Sequence, residues 1–213
     1  MERWASFDCY GTLIDWNGGV RRELARVFGE DAADAKLAEY HAIEPGLEES
    51  GELSYRQVMT EAMRKLGAPA GQEHELVESL PTWRAFPEVP HTLEELRRRG
   101  WKLAILSNTD DDLIAASQVQ LGMVFDEVVV AQEIGSYKPR HKHWTEFFAR
   151  TRAPREGHVH VAASSFHDIA PCNELGLVSV WINRLGEPVT NVPARELTDL
   201  LALPETLDEL VSA

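Results

Sequence analysis

Cysteine is scarce: Cys9 and Cys172 are the only two in 213 residues. A pair cannot staple a chain of this length, and no CxxC spacing suggests a structural metal site. Both read as reduced, buried thiols. Basic residues are outnumbered, 21 against 35 acidic ones, for a formal charge of −14. Such a surface repels phosphate backbones and anionic lipid, which argues against nucleic-acid and membrane partners. No apolar run approaches the roughly 18 residues of a membrane-spanning helix. The opening MERWASFD lacks the basic-then-apolar layout of a secretory leader, so the expected location is the cytoplasm. There is no internal repeat and no low-complexity tract. What remains is ordinary for a folded soluble chain: 44% hydrophobic and 26% charged residues.

Apolar runs of strand length alternate with helical patterns. Strands are expected at Trp4–Asp8, Lys102–Leu106, Glu127–Ala131, His158–Ala162 and Leu177–Ile182. Several are continuously hydrophobic, which suits strands covered on both faces of a parallel sheet. Thr92 and Glu95 form a capping box for a helix that stops at Gly100, and another helix runs from about Asp110 to Leu121 before Gly122. Strands spaced by helices imply a doubly wound sheet with right-handed crossovers.

From Trp16 to Val89 no strand is expected and helical patterns follow one another. The clearest is Ser54–Leu66, with a Ser54/Gln57 capping box and an apolar stripe of Val58, Ala62 and Leu66. The fold class is therefore α/β, a Rossmann-like doubly wound parallel core (1–15 and 90–213) with an inserted all-helical cap (16–89). Pro81, Pro87 and Pro90 mark a linker where the cap rejoins the core.

In open α/β sheets ligands bind beyond the carboxyl ends of the strands. The first strand runs into Asp8-Cys9-Tyr10-Gly11-Thr12, and the second into Ser107-Asn108. A loop after the third holds Tyr137-Lys138-Pro139, and the fourth ends in Ser164-Ser165-Phe166-His167-Asp168. A carboxylate, a hydroxyl–amide pair, an ammonium and a second carboxylate thus converge at one end of the sheet.

In this order the residues resemble the haloacid dehalogenase-like hydrolase superfamily, closest in motif pattern to its 2-haloacid dehalogenases. The resemblance implies Asp8 as a covalent nucleophile, with Gly11 permitting a sharp turn and Thr12 fixing the Asp8 carboxylate. Lys138 would stand between Asp8 and Asp168 and keep both ionised. Asp168 would orient Lys138 or the hydrolytic water, or N-cap a helix over Ile169–Leu175. Tyr10, Ser107, Asn108, Ser165 and His167 are the expected substrate-binding residues, Tyr10 as a pocket wall and His167 as a wall or base.

Phosphatases of the superfamily usually carry an aspartate two residues after the nucleophile, where this chain has Tyr10. Halide leaves without a proton, whereas losing a general acid from phosphate-ester hydrolysis removes a factor of about 10²–10⁴. Ala163 likewise stands where phosphatases often place a magnesium-binding aspartate. The expected activity is hydrolytic dehalogenation of a small anionic 2-haloacid, with no cofactor required. The second reading is a Mg²⁺-dependent phosphatase of a small metabolite, its metal held at Asp8, Tyr10 and Asp168. The third is a non-catalytic ligand-binding relative. A homodimer is compatible with each.

Some residues depart from the dehalogenase pattern. No arginine falls between Arg26 and Arg56, where those enzymes carry an early substrate-gripping arginine. Arg21, Arg22, Arg56 and Arg84 are the candidates to replace it. Instead, Glu30–Glu52 holds eight acids and the single base Lys36, a run read as a solvated helical face. Trp144, Ala163, Ser165 and His167 replace a tyrosine, a serine, an asparagine and a tryptophan of those enzymes. His141, His143, His158 and His160 read as strand-end or surface histidines rather than a metal site. Trp16, Trp83 and Trp144 read as packing aromatics, with a pocket roof as the other reading.

Overall fold

A computed structural model describes residues 1–212. Strand β1 (Arg3–Phe7) is followed by α1 (Trp16–Phe28), α2 (Ala33–Glu49), α3 (Tyr55–Lys65), α4 (Glu75–Ser79) and α5 (Val89–Arg98). Then come β2 (Trp101–Ser107), α6 (Asp111–Leu121), β3 (Glu127–Val130), α7 (Ala131–Ile134) and α8 (Lys142–Thr151). The chain finishes with β4 (His158–Ala162), α9 (Ala170–Leu175), β5 (Val178–Ile182), β6 (Arg195–Leu197) and α10 (Leu203–Leu210). The strands form one parallel sheet in the order β3-β2-β1-β4-β5-β6, which places the carboxyl ends of β1, β2 and β4 side by side. No described helix is long and apolar enough to cross a membrane.

All five expected strands form, each within a residue or so of its expected ends. The sixth, β6, was not expected: it is only three residues long, and two of them, Arg195 and Glu196, are charged and exposed, as a short sheet edge allows. Two-residue periodicity splits the core. Ala5 and Phe7 of β1 join Leu103 and Ile105 of β2 in the larger apolar cluster, while Trp4, Ala104 and Leu106 join Trp144 and Phe147 in the smaller one. Cys9 and Cys172 are free and buried, one in each cluster.

The Ser54/Gln57 capping box forms, with Ser54 N–H donating to Gln57 Oε1 at 2.9 Å. The Thr92/Glu95 box does not. Helix α5 begins three residues earlier, at Val89, with Pro90 in its first turn, where a missing N–H removes nothing. Thr92 lies inside that helix, fully engaged, and its hydroxyl donates to Leu200 O at 3.2 Å. The two segments that join the helical insert to the sheet run side by side: Asp15 N–H donates to Arg84 O at 2.9 Å and Phe86 N–H to Leu13 O at 3.0 Å. Trp83, just before the return, is buried over Gly19 of α1.

Candidate active site

The turn after β1 brings Asp8 to the floor of a cavity of about 760 Å³ between the sheet and the inserted helices. Gly11 takes φ +86°, a left-handed conformation that a side chain would strain, and this returns Thr12 beneath Asp8. Thr12 Oγ1 donates to Asp8 Oδ2 at 2.8 Å and accepts the Ala163 N–H at 2.8 Å, tying the first loop to the fourth. Lys138 Nζ makes three short contacts: Asp8 Oδ1 at 2.9 Å, Asp168 Oδ1 at 2.7 Å and Leu106 O at 2.9 Å. Three donor positions on the ammonium thus meet three acceptors, which satisfies a buried cation.

Electrostatics follow from burial and this pairing. Burial pushes the Asp8 carboxyl above the ordinary aspartate value, and Lys138 and Thr12 pull against it. Asp168 is equally buried, yet Lys138 and His160 hold its carboxyl well below the usual range. Lys138 is held above its ordinary value: burial lowers it, but the two carboxylates outweigh that.

Asp168 does not cap a helix. A single π-helical turn, Ser165–Ile169, precedes α9, and Ser164 caps it by accepting the His167 N–H at 3.0 Å. This frees the Asp168 carboxylate to face inward. Behind it His160 Nε2 lies 2.9 Å from Asp168 Oδ1, and Ser6 Oγ lies 2.7 Å from His160 Nδ1 and 2.8 Å from His158 Nε2. His158 and His160 are therefore not surface residues but fully buried members of a hydrogen-bonded row. The other pair is split: His143 is buried with Nε2 at 3.1 Å from Ser107 O, and His141 meets Glu174 at the surface. Among the described residues no three His, Cys, Asp or Glu side chains are grouped to hold a metal.

The expected binding residues have distinct fates. Ser107 is fully buried, lines the cavity, and its hydroxyl has no partner. Asn108 also lines it, but its amide is engaged: Oδ1 accepts the Lys138 N–H at 2.7 Å, while Nδ2 donates to Glu48 at 3.0 Å and to Lys138 O at 3.1 Å. Tyr10 is a wall, its hydroxyl 3.0 Å from Ser117 Oγ and its ring stacked 6.1 Å from Tyr55. His167 lines the cavity with Nδ1 against Ser164, and burial lowers its pKa. Ser165 sits at the rim, bonded to Thr190 and Asn191. Trp16 joins the lining, whereas Trp83 and Trp144 are packing residues.

None of the four cap arginines lines the cavity. Arg21 is tied to Glu30 and Asp34, Arg22 to Gly18 O, and Arg56 to Asp112, while Arg84 is exposed. The arginine that does line it is Arg184, just past β5, which donates to Thr12 O at 3.0 Å and Glu88 at 2.7 Å and lies over Phe86. Reading beyond the fifth strand, as was done for the first four, would have found it. The acidic run is not wholly a solvated face either, since Glu44 and Glu48 of α2 turn into the cavity. Their spacing of four residues places them one turn apart on the same side of a helix.

A profile of haloacid dehalogenase-like hydrolases matches residues 3–162. (S)-2-haloacid dehalogenase 4A of Burkholderia cepacia is 27% identical, over 96% of this chain and 91% of that relative. A phosphoserine phosphatase of Thermus thermophilus is 29% identical over 75% of this chain and 67% of its own length. The crystal structure of an L-2-haloacid dehalogenase superposes with a TM-score of 0.87 at 24% identity, covering 97% of this chain and 99% of that one. The profile spans most of the sheet together with all the helices inserted after β1, and on that ground the chain belongs to the haloacid dehalogenase-like hydrolases.

Proposed function

We propose that this hydrolase cleaves a carbon–halogen bond of a small carboxylic acid, with Asp8 as covalent nucleophile. Asp8 Oδ attacks the carbon, the halide leaves with the bonding pair, and an ester of Asp8 forms. Water then adds to the ester carbonyl; collapse returns the carboxylate and a hydroxy acid, with one proton released to solvent. Lys138 keeps Asp8 ionised for the first step. It also withdraws charge from the carbonyl that water attacks in the second. Asp168 Oδ2, buried and without a partner, is the acceptor at hand to orient that water.

The observation that carries this reading is the pairing of a lysine-bound Asp8 with Tyr10 two residues on. Burial pushes the Tyr10 phenol above its ordinary value, outweighing the hydrogen bond to Ser117 that pulls it down, and leaves it a poor proton donor. Such a site suits a leaving group that departs as a stable anion.

The phosphatase relative supports a second reading, and the unpartnered oxygen of Asp168 is the observation on its side. Magnesium would draw on Asp8, Asp168 and the Tyr10 carbonyl, yet Lys138 already bridges both carboxylates and Ala163 adds no third. Magnesium favours six oxygen ligands, waters included, and the protein donors here do not make a good set. The test is release of halide from 2-chloropropionate and of phosphate from a generic phosphoester, each with magnesium and with chelator. Halide release that survives chelator is expected, and one turnover in ¹⁸O-water should label Asp8. Magnesium-dependent phosphate release would overturn the proposal, and silence in both assays would favour a ligand-binding relative.

A further inference from the structure

The end of the cavity formed by the inserted helices is acidic and aromatic. Glu44 Oε1 accepts hydrogen bonds from Tyr40 Oη at 3.1 Å and Tyr55 Oη at 2.9 Å, and Tyr55 Oη in turn accepts from Trp16 Nε1 at 3.0 Å. Glu48 Oε2 accepts from Asn108 Nδ2 at 3.0 Å, and His167 Nε2 stands 3.9 Å away. The Asn108 amide cannot reverse, because its Oδ1 is held by the Lys138 N–H. Both glutamates are thus held as acceptors. The second oxygen of each, Glu44 Oε2 and Glu48 Oε1, has no hydrogen-bond partner among the described residues.

The remaining lining points the same way. Lys138 and Arg184 are its only lysine and arginine, and both are already paired, with Asp8 and Asp168 and with Glu88. The rings of Tyr10, Trp16 and Tyr55 border the same space. Aromatic faces beside free carboxylate oxygens attract organic cations. Independently, Ser107 lines this cavity next in sequence to the residue that holds Glu48, and its fully buried hydroxyl has no partner. An orphan of this kind calls for a ligand atom. Burial raises both glutamate carboxyls, so an incoming cation would also draw them to the ionised form.

We infer that the substrate carries an ammonium group, primary or quaternary, seated between Glu44 and Glu48 and the rings of Trp16 and Tyr55. Together with the acid end proposed above, this makes the favoured substrate a zwitterion. The inference rests on the proposed function only in taking the cavity over Asp8 as the substrate's place.

The test uses unreactive ions on the full chain. Tetramethylammonium chloride, methylammonium chloride and sodium acetate are titrated at constant ionic strength, followed by tryptophan fluorescence and calorimetry. At least one ammonium ion should bind more tightly than acetate. Glu44→Gln and Glu48→Gln should each weaken that binding roughly tenfold. Thermal melts establish that the variants are folded, and Trp16→Leu, which leaves both carboxyls intact, should also weaken the cation. Tighter binding of acetate, no binding of any of these ions, or cation affinity untouched in folded Gln variants would overturn the inference. Halide release is scored separately. Cation binding with no halide from either 2-chloropropionate or an ammonium-bearing 2-chloro acid keeps this inference and sinks dehalogenation, and halide release without cation binding does the reverse.

Discussion

The carboxylate of Asp110, at the end of the loop after β2, accepts the backbone N–H of Tyr55 at 2.8 Å, the first residue of α3. Its other oxygen takes the Arg56 N–H at 3.0 Å. A residue expected to begin a core helix therefore serves mainly as an anion at the start of a helix in the insert, where two free N–H groups and the helix dipole favour it. Asp110→Ala should lower stability by about 1–2 kcal/mol, measured by urea denaturation. It should also raise KM more than it lowers kcat, because Tyr55 lines the cavity.

Removing the cation beneath Asp8 should be far more damaging. Lys138→Met leaves two buried carboxylates facing one another, and one must take up a proton. The expected loss is about 3–5 kcal/mol, together with loss of turnover. Adding Asp8→Asn to Lys138→Met should recover part of that stability by removing the repulsion. A double-mutant cycle on the four proteins measures the coupling.

The pH dependence of turnover follows from Asp8. The proposed attack requires its carboxylate, and burial raises the pKa above the ordinary 3.8. The acid limb of kcat/KM should therefore lie above that value, with activity falling as pH drops through it. A profile flat down to pH 3.8 would contradict the assignment.

Glu44 makes a separate prediction about stability. Burial lifts its carboxyl from 4.5 to about 7, so the folded chain holds this proton after the unfolded chain has lost it. Stability from this group is then complete below pH 4.5 and declines as pH rises through about 7. The decline is of order 1–3 kcal/mol, since water in the cavity screens a half-buried group. Glu44→Gln should flatten Tm against pH in that window.

Gly19→Ala sets two effects against each other. Helix propensity alone favours alanine by about 1 kcal/mol. The added methyl would collide with the buried ring of Trp83, and overpacking costs about 1–3 kcal/mol. Net destabilisation on chemical denaturation is the expected sign.

Five of the six strands were legible because they are buried on both faces and largely apolar, a pattern that survives without any partner sequence, whereas β6 is short, charged and exposed. The residues at the ends of β1, β2 and β4 were legible for a related reason, since each follows its strand directly. The start of α5 was misread because Pro90 and Thr92 both signal a helix start, and the choice depends on where the return segment pairs with Leu13. Glu44 and Glu48 were hidden because apolar and polar residues are scattered around α2 without a distinct stripe, and only tertiary packing selects its inner face. The second role of Asp110 was equally invisible, as its partners lie more than fifty positions upstream.

The paired tethers at Leu13–Asp15 and Arg84–Phe86 have a mechanical consequence. Two straps zipped edge to edge behave as one ribbon, which resists splaying of the roof over Asp8. Glu44, Glu48 and Trp16 all lie beyond that ribbon on the inserted helices, so any displacement of the insert carries these three as one group while Asp8, Ser107 and Lys138 stay with the sheet.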